Sequence, residues 1–283
     1  MPAPFRFPLH TLFPDLPALH IVDIGASTID GDPAYQPLIN SGAVAELTCF
    51  EPNPVEFQKL QAKRPGQRNL PYALGDGKDA ILNVCAAAGM SSLLEPNMQV
   101  LAHFHGFADW ARVKQRIPVR TRRMDEVAEL GVMDYLKIDV QGSELPILKN
   151  ATKALAQTLI VHLEMPFVPL YINQPQFGEL DAFLRGQGFF IHTFTRLSKR
   201  AFRPVRKSDE YQGFNQLFEA DAVYVRDFTR FVELDAPALL KIARVVHDLW
   251  ESIDLAALAL AHVDRKTGSK REQQYRDRLM PGG

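Results

Sequence analysis

Apolar residues fall along this chain in two alternating rhythms. Short apolar runs that close on an acid or a glycine are followed by stretches with apolar residues three and four apart. From residue 20 onward this alternation predicts βα units and a mostly parallel sheet. Strands are expected at 20–25, 46–51, 69–74, 134–139 and 158–164, with 189–195 and 220–225 as the last. Segments 80–86 and 115–122 are also strand-like and flank a less regular middle, 89–111. Helices are expected at 33–41, with Pro33 in the first turn, and at 54–63. A helix at 143–155 has Ser143 as its cap, and one at 176–187 closes on Gly186 and Gly188.

The pattern changes beyond residue 229. Segment 237–261 reads as a helix with an apolar stripe, and 266–279 as a charged surface helix or a frayed tail. The chain therefore divides into an extended arm (1–18), an α/β domain (19–228) and a C-terminal helical extension (229–283). An apolar helix outside the main sheet needs a surface to bury against. Capping the cleft, pairing two copies as a homo-oligomer and holding a partner all satisfy that need.

Composition narrows the function classes. The 283 residues are 46% hydrophobic and 23% charged, with a formal net charge of −1, so nothing global points to nucleic acid. Two cysteines, Cys49 and Cys85, sit in apolar strand-like surroundings and read as buried reduced thiols of a cytoplasmic protein. No apolar run approaches the ~18 residues of a membrane span, and the proline-rich start lacks a signal peptide's apolar stretch.

Three strands close on acids: Asp23 just before Gly25, Glu51, and Asp139. In open α/β sheets ligands bind at such carboxyl ends, so these acids describe a cleft for a nucleotide-type cofactor. Gly25 lets backbone approach a ligand closely. Ala26, Ser27, Thr28 and Ile29 follow it, so the dinucleotide glycine fingerprint is incomplete. That counts against a nicotinamide-dependent oxidoreductase, as does the lack of a Tyr-x-x-x-Lys pair. Glu51 is placed to accept hydrogen bonds from ribose hydroxyls.

Lys137 and Asp139 share one strand face, as do His162 and Glu164. With their strands adjacent, Asp139 and Glu164 meet at the carboxyl edge, and Lys137 and His162 lie one layer deeper. Charges in apolar strands are costly unless paired or used. For Lys137 a salt bridge that fixes the sheet is an equal reading. His103 and His105 suit surface packing better than a metal. The basic runs 112–123 and 196–207 read as solvated faces, with an entrance for an anionic substrate as the minority reading. By elimination, 89–111 and 196–215 face the acceptor.

Together these residues resemble the FkbM-type S-adenosylmethionine-dependent methyltransferases. The match is strongest at Tyr135-Leu136-Lys137-Ile138-Asp139-Val140-Gln141-Gly142-Ser143-Glu144 and Leu148-Lys149-Asn150-Ala151. Val22-Asp23-Ile24-Gly25-Ala26, Phe50-Glu51-Pro52-Asn53-Pro54, Ala73-Leu74-Gly75 and Met90-Ser91-Ser92-Leu93 match further landmarks, and 164–171 resembles a subgroup's post-strand signature. Two departures stand out: Gln141 replaces the family's glutamate, and Ser27-Thr28-Ile29-Asp30-Gly31-Asp32 replaces a second glycine.

The resemblance implies a Rossmann-like class I methyltransferase fold over roughly 18–228. It implies S-adenosylmethionine held by Asp23, Gly25, Ala26, Ser27, Glu51, Pro52, Asn53, Ala73, Leu74, Ser92, Asp139, Val140 and Gln141. The implied reaction is methyl transfer to a hydroxyl of a sugar, glycan or small metabolite. Asp139 and Glu164 are the candidate bases, His162 a third, and Lys137 their neighbour. The alternative, Asp139 and Glu164 holding magnesium to lower the hydroxyl pKa, stays open from sequence. The two departures also keep open a catalytically degenerate scaffold.

Overall fold

The computed structural model describes residues 7–27, 31–209 and 211–280. Three residues of the second departure, Thr28, Ile29 and Asp30, lie outside them, as do residues 1–6 of the arm. The first half contains β1 (Leu19–Ile24), α1 (Gln36–Asn40), β2 (Val44–Phe50), α2 (Pro54–Lys63), β3 (Arg68–Leu70), β4 (Asp79–Cys85), α3 (Met98–Leu101), α4 (Phe107–Trp110) and β5 (Val113–Arg120). Then come β6 (Tyr135–Ile138), α5 (Glu144–Lys149), α6 (Thr152–Gln157), β7 (Ile160–Pro166), α7 (Phe177–Gly186), β8 (Phe189–Lys199) and β9 (Leu217–Arg226). The chain closes with α8 (Ala236–Trp250), α9 (Ile253–Thr267) and α10 (Arg271–Leu279).

Seven strands form one sheet in the order β3-β2-β1-β6-β7-β9-β8. The first five in that row run parallel, and β9 is antiparallel to both its neighbours. This is the Rossmann-like class I methyltransferase fold that the resemblance implies. The strand order reverses between β1 and β6, which opens a crevice at their carboxyl ends.

Strand alternation sends side chains to two faces. Ile21, Tyr135, Ile160, Val223 and Val225 share one apolar core with Leu38 of α1 and with α8 and α9. Val22, Ile24, Leu136, Ile138, Val161 and Leu163 pack on the other face against α5, α6 and α7. The helices beyond residue 229 thus cover part of one face of the sheet, beside α1, and that is where their apolar stripes are buried. Tyr275 and Leu279 of α10 are buried too, which decides against a frayed tail.

Several local expectations are corrected. The first helix starts at Gln36, with Pro37 rather than Pro33 in its first turn. The third strand stops at Leu70, because Pro71 lacks the N–H a ladder needs. The strand-like segments 80–86 and 115–122 pair with each other as an antiparallel ribbon outside the main sheet. The helix expected at 143–155 is broken between Lys149 and Thr152, and Ser143 makes no side-chain cap bond. The helix expected at 237–261 breaks at Glu251, which takes a left-handed conformation at φ 52°. Finally, residues 7–13 are not an extended arm. Leu9 and Phe13 are buried against the C-terminal helices, and the Leu9 amide donates to Asp248 Oδ1 at 2.8 Å.

Candidate active site

The strand ends create the site. β1 ends in Gly25, at φ +77°, where backbone N–H groups of Gly25 and Ala26 both donate to the Phe50 carbonyl, at 3.0 and 3.1 Å. β2 ends in Glu51-Pro52-Asn53. The Asn53 side chain caps α2 by accepting from the Val55 amide at 3.0 Å, and the Asn53 backbone N–H donates to Glu51 Oε1 at 2.8 Å. β6 runs into Asp139-Val140-Gln141-Gly142, where Gln141 and Gly142 both have positive φ, 58° and 104°. Glu144 holds this turn: its Oε1 accepts the amides of Val140 and Gly142 at 3.0 and 3.1 Å. Burial still lifts the Glu144 carboxyl to about 7 against those two bonds.

Two cavities open here. The first is lined by Gly25, Ser27, Glu51, Pro52, Asn53, Ala73, Leu74, Ser92, Asp139, Val140 and Gln141, all expected at a cofactor. Phe50, Tyr72, Leu82 and Ile147 add apolar wall that the motifs did not single out as ligand-facing. Glu51 is buried, and desolvation raises its carboxyl to about 7 although the Asn53 amide pulls it down. Glu56 also lines this cleft, and its Oε2 is buried without a hydrogen-bond partner among the described residues. A buried acceptor left unsatisfied in a cleft calls for a ligand donor. Two acids, an apolar slot and a glycine turn thus suit a nucleoside with free ribose hydroxyls and amino groups.

Two expected cofactor residues stand elsewhere. Ala26 is buried in the sheet core and lines neither cavity. Asp23 faces the second cavity, where Tyr35 donates a 2.5 Å hydrogen bond to its Oδ2 and Arg64 Nη1 lies 3.5 Å away. Ser92 does line the cleft, but its hydroxyl is already used: it donates to the Gln141 carbonyl at 2.7 Å.

The second cavity encloses about 490 Å³ on the face of the sheet that carries Lys137, His162 and Glu164. Both segments expected to face the acceptor reach it: Gly89, Met90, Phe107 and Trp110 from one, Arg196, Arg200 and Tyr211 from the other. Lys137 Nζ sits 3.5 Å from Asp23 Oδ1 and 3.7 Å from Asp139 Oδ2. Burial opposes its charge, but Asp23 and Asp139 outweigh burial and hold its pKa above the ordinary lysine value. Lys137 is therefore a fixed cation that ties β1 to β6.

Both ring nitrogens of His162 already have hydrogen-bond partners. The Tyr135 hydroxyl bonds its Nδ1 at 2.8 Å, and its Nε2 faces Thr195 Oγ1 at 3.1 Å. Burial pushes its pKa down to about 4. The lowered pKa and the two hydrogen bonds make His162 a poorer base than a carboxylate and suit it to holding β7 against its neighbours.

Asp139 and Glu164 do meet at the sheet edge, through Gln141. The Gln141 amide nitrogen donates to Asp139 Oδ1 at 2.9 Å and to Glu164 Oε2 at 2.7 Å, and the Tyr171 hydroxyl lies 3.0 Å from its Oε1. Arg196 closes the other side, with nitrogens 3.1 Å from Glu164, 3.0 Å from Glu219 and 2.8 Å from Asp221. Burial, with the charges of Asp139 and Glu219, raises Glu164 well above the usual carboxylate range despite Arg196.

This arrangement does not fit magnesium. An ion bridging Asp139 and Glu164 needs their free oxygens, and the Gln141 amide occupies the place between them. Among the described residues no group of three His, Cys, Asp or Glu side chains is disposed to hold a metal. His105 Nε2 is bound to the Val205 carbonyl at 3.0 Å instead.

Sequence reasoning missed Glu144 as the turn holder, Tyr171 as the Gln141 partner and Arg196 as the clamp. The first two stood inside quoted motif runs. Arg196 was hidden in a basic run, because nothing in the sequence says which acids it faces.

Comparison with known proteins gives these residues a context. The family model described as Methyltransferase FkbM domain matches residues 23–191. The 2-O-methyltransferase NoeI of Sinorhizobium fredii (strain NBRC 101917 / NGR234) is 25% identical over 173 residues, which are 54% of this chain and 66% of that protein. The solved structure of methyltransferase FkbM from Methylobacillus flagellatus KT is similar at 15% identity and a TM-score of 0.42, covering 74% of this chain and 43% of that one. Magnesium protoporphyrin IX methyltransferase from Synechocystis PCC 6803, solved with bound SAM, is similar at 13% identity and a TM-score of 0.36, covering 77% and 74%. The matches thus span just under two thirds of NoeI and less than half of the Methylobacillus chain.

Proposed function

This chain belongs to the FkbM methyltransferase family, and from that membership we propose that it uses S-adenosylmethionine to methylate a hydroxyl of an uncharged sugar, glycan or small polyol. One observation carries the reading: the two cavities share Gly25, Ser27, Gly89, Asp139 and Gln141. A donor in the first and an acceptor in the second meet at those residues. In-line displacement gains most from such positioning.

When bound, S-adenosylmethionine supplies a methyl carbon on a cationic sulfur that leaves as a neutral thioether. Glu51 would accept hydrogen bonds from the ribose hydroxyls, and Phe50, Leu74, Leu82 and Ile147 would supply the apolar wall for the adenine. Asp139, at the junction, receives the acceptor's hydroxyl proton as the carbon–oxygen bond forms. Lys137 places a positive charge 3.7 Å from Asp139 Oδ2. Gln141 fixes the carboxylate of Asp139 and ties it to Glu164, the second carboxyl facing the acceptor.

The ion pairs support an uncharged acceptor. Arg64, Lys137 and Arg196 already face acids in the cavity, which leaves little attraction for an anion. Carboxylates and the aromatic rings of Trp110 and Tyr211, stacked at 5.5 Å, suit hydroxyls and sugar faces. The name of NoeI, a 2-O-methyltransferase, supports oxygen as the accepting atom. A cavity of this kind suits a small acceptor, not nucleic acid.

Titration calorimetry with S-adenosylhomocysteine, with and without magnesium, tests the cofactor half. Micromolar binding that Glu51→Ala abolishes is the expected result. No binding in either condition overturns the reading.

A further inference from the structure

We propose that residues 199–209 and 211–214, at the end of β8 and in the connection to β9, form a docking surface for an anionic lipid bilayer. Apolar and cationic side chains point outward there together. Phe202 is 50% exposed, Val205 56% and Phe214 54%. By sequence the stretch holds the cations Lys199, Arg203, Arg206 and Lys207 and the two acids Asp209 and Glu210. The chain's net charge is −1, so this excess of cations is local. Apolar tips inserted at the headgroup boundary, with Lys and Arg beside anionic headgroups, are the pattern of an interfacial surface.

The segment is held in shape. The Arg203 amide donates to the His103 carbonyl at 2.8 Å, His105 Nε2 is 3.0 Å from the Val205 carbonyl, and the Phe202 ring stacks on Phe104 at 5.1 Å. The buried Arg200 guanidinium donates to Ser198 Oγ and the Tyr211 carbonyl, both at 2.7 Å, and joins the two limbs. Gly213 allows that close approach: a Cβ there would lie 2.3 Å from the Arg200 nitrogen. Half-exposed apolar side chains on so fixed a frame are preorganised, so docking loses little conformational entropy.

Charge and apolarity together select the partner. Nucleic acid would use the cations and the aromatic rings but has no place for Val205. A bilayer takes the cations at its surface and the apolar tips beneath it. Arg200 and Tyr211 also line the second cavity, so docking would bring the mouth of that cavity to the membrane plane. The inference rests on the patch and not on the proposed chemistry.

Vesicle flotation of the full chain tests it, with phosphatidylcholine alone and with equimolar phosphatidylcholine and phosphatidylglycerol. The protein is expected to float with the anionic vesicles only. Val205→Asp, Phe214→Asp and Lys207→Glu should each lower the bound fraction about fivefold or more. None of these three lines either cavity, and an unchanged circular dichroism spectrum and melting temperature in each variant certify the fold. Absence of flotation at low salt overturns the proposal, as does flotation that the variants leave unchanged. Displacement from vesicles by a dissolved oligonucleotide of equal charge also overturns it, in favour of a nucleic-acid surface.

Discussion

A Cβ placed on Gly25 would lie 1.8 Å from the carbonyl oxygen of Asp139. The ends of β1 and β6 therefore touch backbone to backbone, at the point where the two cavities meet. Any side chain there must force the strands apart, and the φ of +77° adds strain of its own. Gly25→Ala is expected to cost about 3 kcal/mol, which lowers Tm by roughly 6–12 °C in a chain of this size. It should also bring S-adenosylhomocysteine binding below detection. Differential scanning calorimetry and titration calorimetry read the two effects, and a wild-type Tm would refute the contact.

Glu51 makes cofactor binding sensitive to pH. Desolvation raises its carboxyl to about 7 in the free protein. Ribose hydroxyls donate to the ionised form, so binding releases a proton and tightens as pH rises through 7. Below that pH the dissociation constant should grow by up to about tenfold per unit. In Glu51→Gln the profile flattens and affinity drops by about one to two orders of magnitude. Titrations between mildly acidic and mildly basic pH measure it, and a parallel profile in the variant would assign the proton elsewhere.

Asp139→Asn keeps shape and hydrogen-bonding atoms but removes the proton acceptor. Turnover with a competent hydroxyl acceptor should fall by about 10²–10⁴-fold, with cofactor affinity held within about tenfold. Full activity in this variant would remove Asp139 from the chemistry.

Gln141→Glu replaces a bridging donor with a third carboxylate between Asp139 and Glu164. Both lose a hydrogen bond and gain a repulsive neighbour, so Tm should fall at neutral pH and recover as pH falls and the carboxylates protonate. In the wild type, where the amide fills this position, chelator and added magnesium should leave turnover unchanged. A chelator-sensitive wild type would reinstate the metal route.

Much of the fold was legible locally. Helix α2 is bounded where Asn53, Pro54 and the apolar spacing place it, because caps and periodicity act within a few residues. The acids Glu51 and Asp139 were legible for the same reason: a strand's last residue before a turn is a short-range property. Glu144 was the harder case. It lies in the motif, but its two amide bonds depend on Gln141 and Gly142 taking left-handed conformations, which no side-chain pattern announces.

What the sequence by itself determined is the set of elements, the strand ends that carry acids, and the family motif around Asp139. What only tertiary structure decided is who meets whom. Asp23 is 114 residues from Lys137, yet β1 and β6 pair them in register. Arg196 reaches Glu164 only because β9 lies between β7 and β8 and is antiparallel to both. The C-terminal helices could equally have capped the cleft, and the sheet face that buries them is known only once the sheet exists. Local pattern fixes which side chains must be buried or paired. The partner is chosen by long-range strand register, which depends on the whole core closing at once.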